Sequence, residues 1–329
     1  LGVPQQNIEA RTALPRQEPS QYTAVNSIKA NFDAIYRQQD PRDYYLALGN
    51  LDYVIPEIAS PVFLQLASQL RARKGRPITV LDVGCSYGVL SAIMRHGLTM
   101  DQLRERYASP SIRRLSPGGL TACDANFFAG WPEHADIRFI GLDASPDAIA
   151  YARLVGLIDE GLAVNLETGT LSEQARDMIS KADLIVSSGA VGYVTEKTFS
   201  KLLSAFEPGH EPWVASFVLR VFDYKPLSLC MAERGLVTER FEGATFVQRR
   251  FRDWAEYENM IRLLHDAGID PAGKEAEGLL HAELFVSRPE LEIRNVSLSK
   301  IVSLSNGSSA PQFHHRFRLG STACPGLAA

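Results

Sequence analysis

The chain has 329 residues, 45% of them hydrophobic, and a formal net charge of −4. That length and apolar content support a substantial core, in one large domain with additions or in two domains. The slight acidity argues against a dedicated nucleic-acid binder, which carries a basic domain or stripe.

Four cysteines, Cys85, Cys123, Cys230 and Cys324, form no C-x-x-C pair. A disulfide framework or zinc site is therefore not expected, and a reducing cytoplasm fits the pattern. No apolar run reaches membrane-spanning length, so no membrane partner is expected. Gln5, Gln6, Asn7 and Glu9 do not have the basic-then-apolar form of a signal peptide.

Residues 1–22 are polar and proline-punctuated and read as a flexible arm. Residues 23–75 read as a helical cap. Ile28, Phe32, Ile35 and Tyr36 recur at helical spacing, Asp40-Pro41 breaks the run, and a last helix is expected around 61–70, followed by the basic segment Arg71–Arg76. The cap tyrosines Tyr36, Tyr44, Tyr45 and Tyr53 suit a lid or equally a packed core.

From residue 76 to 290 strands and helices alternate. Strands are expected at 78–83, 137–143, 161–166, 182–187, 213–219, 245–251 and 281–287, with helices between them. This order implies a doubly wound α/β fold, a mostly parallel sheet covered on both faces. Residues 98–135 interrupt the rhythm and read as an insertion near the site. From 291 to 329 Ser, Asn, Gly and Pro dominate, which suggests a flexible tail or, at 293–296 and 301–304, a docked strand.

The most informative stretch is Ile78-Thr79-Val80-Leu81-Asp82-Val83-Gly84-Cys85-Ser86-Tyr87-Gly88. A buried strand ends in an acid, turns through Gly, Ser and Gly, and opens a helix. It is neither the nicotinamide turn G-x-G-x-x-G nor the phosphate loop G-x-x-x-x-G-K-[ST]. An acid in this place accepts hydrogen bonds from a cationic amino group. Asp143 closes the next strand, where a carboxylate can take both hydroxyls of a ribose. A ligand with an amino-acid end and a nucleoside sugar fits both, and S-adenosylmethionine carries both.

Val80–Gly88 resembles motif I of the class I S-adenosylmethionine-dependent methyltransferases, with Ser86 where a middle Gly is common. Phe139-Ile140-Gly141-Leu142-Asp143-Ala144-Ser145 resembles their motif II, and Ala182-Asp183-Leu184-Ile185-Val186-Ser187-Ser188-Gly189 their fourth-strand motif. The resemblance covers roughly residues 75–290 and implies a Rossmann-like sheet of seven strands, the last antiparallel. It implies S-adenosylmethionine as cofactor, S-adenosylhomocysteine as product, and direct displacement at the methyl group.

The residues it assigns to the cofactor are Asp82, Gly84, Cys85, Ser86, Tyr87, Gly88, Asp143, Ala144, Ser187 and Ser188. Glu167 is the candidate adenine contact and equally a solvated loop carboxylate. Cys85 reads as turn filler, and Tyr193, just past the fourth strand, as a packing residue or a substrate-facing one. No general base and no metal ligand set stands out; His96 reads as a helix C-terminal residue, and the pair His314-His315 as tail composition. An Asp-Pro-Pro-Tyr motif is absent after the fourth strand, which disfavours DNA-base and protein-glutamine methylation.

The expected acceptor is a small molecule taking the methyl on O, N or C. An RNA or protein methyltransferase is the first alternative, a non-catalytic cofactor-binding scaffold the second, and a nicotinamide reductase a distant third. Self-association as a homodimer stays open.

Overall fold

The computed structural model describes residues 33–133 and 136–304. The arm at 1–22, Ile28 and Phe32 of the cap, and the His314–Arg318 patch lie outside these residues.

Among the described residues three helices precede the sheet: α1 (Asp33–Tyr36), α2 (Arg42–Gly49) and α3 (Ile55–Lys74). α3 is longer than the 61–70 expected. Pro61 lies in its second turn, and the basic residues form its last turn before Gly75 closes it at φ +65°. A glycine takes this left-handed C-terminal position without a Cβ clash.

β1 (Ile78–Val83) is buried along its whole length and pairs in parallel with β2 (Ile137–Asp143) on one side and β4 (Leu184–Ser187) on the other. β3 (Glu160–Ala163) lies beyond β2, and β5 (Trp213–Leu219) beyond β4. The chain thus reverses direction across the sheet between β1 and β4. Side chains alternate across β1. Leu81 and Val83 enter one core, with Ile185, Val214 and Phe199. Ile78 and Val80 enter the other, under Val62, Phe63 and Leu66 of α3. A sheet buried on both faces needs the near-continuous apolar strands seen here.

Among the described residues the sheet has eight strands, not seven. β8 (Leu279–Pro289) is antiparallel to β5, and its 11 residues offer a long outer edge. β6 (Leu236–Arg240) and β7 (Phe246–Arg250) share that edge end to end. In effect one outer strand is split by the turn between them. β6 escaped the sequence reading because it is half exposed and ends in Glu239-Arg240.

The insertion folds as α4 (Val89–His96) ends: α5 (Met100–Ala108), α6 (Pro110–Arg113) and α7 (Pro117–Ala129). It packs on the cap. Arg42 donates to the carbonyls of Arg113 (3.1 Å) and Leu115 (2.8 Å), and Glu57 caps the start of α5 through Met100 N (2.7 Å). Asp124 of α7 is fully buried and accepts from Arg106 Nε (2.9 Å), Tyr107 (3.1 Å) and Tyr151 (2.6 Å), so its charge is paired.

The expectation of a tail from residue 291 is corrected for 291–304. α13 (Glu290–Asn295) and α14 (Leu298–Ile301) form instead of a docked strand, and Leu298 and Val302 bury against the α3 face of the core. Leu298 and Val302 are four apart, a helical spacing, which the weak alternation masked. Among the described residues no helix is long and apolar enough to cross a membrane.

Candidate cofactor and acceptor cleft

A cleft of about 710 Å³ opens above the C-terminal ends of β1, β2 and β4, at the point where strand order reverses. Open α/β sheets bind ligands there. Its floor is the turn after β1. Gly84 stands at φ +77°, and a Cβ there would sit 2.4 Å from the Ala190 methyl, so the turn can pack on the loop after β4 only as glycine. Ser86 is also left-handed, at φ +50°, and donates its backbone N–H to Asp143 Oδ2 (2.9 Å). Ser86 lines the cleft, and its buried hydroxyl has no partner among the described residues. A buried unpaired hydroxyl at a cleft floor suits a polar ligand.

The two strand-end acids differ. Asp143 Oδ2 accepts from Ser86 N and its Oδ1 from Ser145 N (2.9 Å each). Burial raises its pKa, and the amides of Ser145, Ser86 and Ala144 pull it back. The carboxylate keeps lone-pair capacity for a further donor. Asp82 is only 2% exposed, and no described group donates a hydrogen bond to it. Burial first, and then the Asp143 charge, push its carboxyl up to about 8. A desolvated acid without a donor is stabilised by a cation.

Of the residues proposed from sequence, Gly84, Ser86, Asp143, Ala144, Glu167 and Ser188 line the cleft. Asp82, Cys85, Tyr87, Gly88 and Ser187 do not. Asp82 lies beneath the turn. Cys85 points into the core, where glycine at 141 leaves it room, since a Cβ there would sit 2.7 Å from its sulfur. Tyr87 turns its hydroxyl to the carbonyls of Ile35 (2.8 Å) and Gln38 (2.9 Å), and so ties the turn to α1. Gly88, at φ +79°, starts α4. Ser187 Oγ accepts from Ala190 N (3.3 Å) and shapes the loop after β4.

Glu167 is engaged by protein. It accepts from Thr195 N (2.8 Å), Thr195 Oγ1 (2.8 Å) and Thr198 Oγ1 (2.5 Å), at the start of α10 (Glu196–Leu203). Burial alone would raise its pKa, but these hydrogen bonds, Thr198 first, outweigh it and hold the carboxyl below its usual range. An acid near a helix N-terminus is favoured by the helix dipole as well.

The roof comes from the cap. Tyr36, Arg37, Tyr44 and Tyr53 line the cleft, joined by Tyr193 from the loop after β4. The rings meet edge to face, Tyr36–Tyr44 at 5.8 Å and Tyr44–Tyr53 at 6.5 Å between centroids. Burial raises the pKa of Tyr36, Tyr44 and Tyr53, so all three stay protonated. Tyr45 instead stacks on Tyr107 at 4.6 Å, away from the cleft. No described residue of the insertion lines the cleft; it buttresses the cap that does. Val164, Asn165 and Thr198 also line it, and no motif in the sequence marks them.

No protein-family profile matches this sequence, and no curated protein matches it. Solved structures are similar to the chain at low identity. One is magnesium protoporphyrin IX methyltransferase from Synechocystis PCC 6803 with bound S-adenosylmethionine. It is 11% identical, over 83% of this chain and 99% of that one, with a TM-score of 0.39. Another is the plantazolicin methyltransferase with S-adenosylhomocysteine, at 10%, 82%, 95% and 0.38. The N-methyltransferase NodS from Bradyrhizobium japonicum WM9, with S-adenosylhomocysteine, gives 13%, 83%, 100% and 0.36.

Proposed function

We propose that this chain is an S-adenosylmethionine-dependent methyltransferase acting on a small molecule. The observation that carries the reading is the pair of strand-end carboxylates around one glycine turn. Asp143 has lone-pair capacity left for ribose hydroxyls, and Asp82 is buried without a donor among the described residues, a place for a cation such as an amino-acid ammonium. The unpaired Ser86 hydroxyl adds a polar contact at the floor, and Leu142 and Val164 add apolar wall for a purine.

When bound, the cofactor supplies a methyl group activated by sulfonium charge. The residues of the chain orient it and exclude water. With the ribose at β2 and the amino-acid end at β1, the remaining side of the cleft is the β4 loop, Ser188–Ala190, under the tyrosine roof. Alignment of an acceptor atom there lowers the barrier by positioning.

The roof supports a small acceptor rather than a polymer. The basic segment Arg71–Arg76 gives an RNA reading no support. Arg71 pairs with Asp136, Arg73 with Glu292 (2.7 Å), and Lys74 and Arg76 with Asp183 (2.6 and 2.8 Å), at the sheet end opposite the cleft. The described cysteines are free thiols, which suits a reducing compartment.

The test is calorimetric titration of wild type and Asp143→Ala with S-adenosylmethionine and S-adenosylhomocysteine. Wild type is expected to bind both, and the variant to bind each about 30-fold or more weakly, as for loss of charge-assisted hydrogen bonds. Absence of binding to wild type sinks the proposal.

A further inference from the structure

The amino-acid end of the proposed cofactor is a zwitterion. Asp82 offers a place to its ammonium. Its carboxylate needs hydrogen-bond donors, and a tight turn can supply them from backbone amides. Here those amides are spent. Gly84 N and Cys85 N donate to the Leu142 carbonyl (2.8 and 3.2 Å), Ser86 N to Asp143 Oδ2 (2.9 Å), and Gly88 N to the Cys85 carbonyl (2.9 Å). A carboxylate at this turn therefore depends on side chains.

Ser86 and Arg37 are donors of the cleft that no described residue engages. Ser86 is 5% exposed and lines the cleft, and its hydroxyl has no partner among the described residues. It stands at φ +50°, a conformation that favours glycine. A serine here carries a backbone cost that glycine would not, and the hydroxyl is what it adds.

Among the described residues that line the cleft, Arg37 is the one cation, against Asp143, Asp147 and Glu167. It is exposed and makes no hydrogen bond or ion pair with a described residue. Its backbone is fixed at the turn. The carbonyls of Ile35 (2.8 Å) and Gln38 (2.9 Å), on either side of it, both face the Tyr87 hydroxyl. A guanidinium matches a carboxylate with paired N–H groups.

We infer that Ser86 Oγ and Arg37 together hold the carboxylate of the cofactor's amino-acid end, the hydroxyl from the floor and the guanidinium from the cap. The inference rests on the cofactor reading above and adds an anion subsite to it. The grip spans turn and cap, so a ligand carrying the carboxylate ties the roof to the floor.

Decarboxylated S-adenosylhomocysteine keeps the ammonium and lacks the carboxylate, and so isolates this contact. Dissociation constants for it and for S-adenosylhomocysteine are measured on wild type, Arg37→Gln, Ser86→Ala and Ser86→Gly, with melting temperatures as a check on folding. Wild type is expected to prefer S-adenosylhomocysteine about 50-fold. Arg37→Gln should lose about tenfold of that preference and each Ser86 variant about fivefold, with affinity for the decarboxylated ligand unchanged. Ser86→Gly should melt no lower than wild type, since glycine takes this conformation without a steric cost.

A wild type that binds both ligands equally overturns the grip. So does the full preference retained in Arg37→Gln or in a Ser86 variant, or an equal loss of both ligands, which marks a structural role. Failure of wild type to bind either ligand is a different result, the loss of the cofactor reading, and the grip falls with it.

Discussion

Asp82 and Asp183 sit at opposite ends of neighbouring parallel strands, and both are almost wholly buried. Asp183, just before β4, accepts from Lys74 Nζ (2.6 Å), both terminal nitrogens of Arg76 (2.8 Å each) and Thr79 N (3.0 Å). Burial alone would raise its pKa; Arg76, then Lys74 and the Thr79 amide, outweigh it and lower the value. Asp82, at the end of β1, has no such donors and is pushed up to about 8. The same residue type at the same depth is thus a finished structural joint at one end of the sheet. At the other end it is an unfinished site. The protein pairs Asp183 itself at a strand N-terminus, and Asp82 at a strand C-terminal end has no donor among the described residues.

The largest effect that would break this contrast is on cofactor affinity. Asp82→Asn should weaken S-adenosylmethionine binding about 100-fold in titration calorimetry, the scale of losing a charged hydrogen bond in a dry site. The same variant should raise the melting temperature at alkaline pH, because it removes an unpaired buried charge. An unchanged affinity would mean that Asp82 is structural.

Asp183→Ala should do the reverse. A loss of about 2 kcal/mol in denaturant unfolding is expected, below the full value for a buried pair because Lys74 and Arg76 are half exposed. S-adenosylhomocysteine affinity of the folded protein should not move. The lowered pKa of Asp183 makes its contribution present above the unfolded value of 3.8 and lost as pH falls through the folded one.

A smaller effect is expected at the link between turn and roof. The carbonyls of Ile35 and Gln38, at the end of α1, receive the Tyr87 hydroxyl. Helix ends leave such carbonyls without partners. Tyr87→Phe keeps the ring and should speed S-adenosylhomocysteine release about fivefold in stopped flow, one neutral hydrogen bond's worth. No change in rate would show that the roof stays closed without it.

The smallest effect concerns pH. The raised pKa of Asp82 gives a contribution to stability that is fully present below the unfolded value of 3.8 and lost as pH rises through about 8. An ammonium ligand favours the ionised form, so binding should release a proton and tighten by several-fold from about pH 6.5 to about pH 8.5. Proton release measured in buffers of different ionisation heat checks the sign, and Asp82→Asn should abolish it.

Much of the sheet was legible because its strands are apolar throughout and are separated by helix caps. Ser145 caps α8 (Pro146–Leu154) and Gly97 closes α4, both as the pattern implies. β6 was hidden by its exposed face. α14 was hidden because a four-residue helix leaves little periodicity to read. The floor of the cleft was visible in the turn itself, since glycines and an acid at fixed offsets are local features. Thr195 and Thr198 as the partners of Glu167 were not visible, because about thirty residues separate them from it.

The sequence by itself determined the doubly wound core, the glycine turn and its two acids. Each follows from spacing within one strand-turn-helix unit, where local backbone sterics and burial decide. Only the tertiary structure decided that Asp82 lacks a donor, that Tyr87 holds the roof, and that the cap brings Arg37 to the cleft. Those properties depend on which distant segments are brought together when the sheet is covered, and side-chain spacing along the chain carries no record of it.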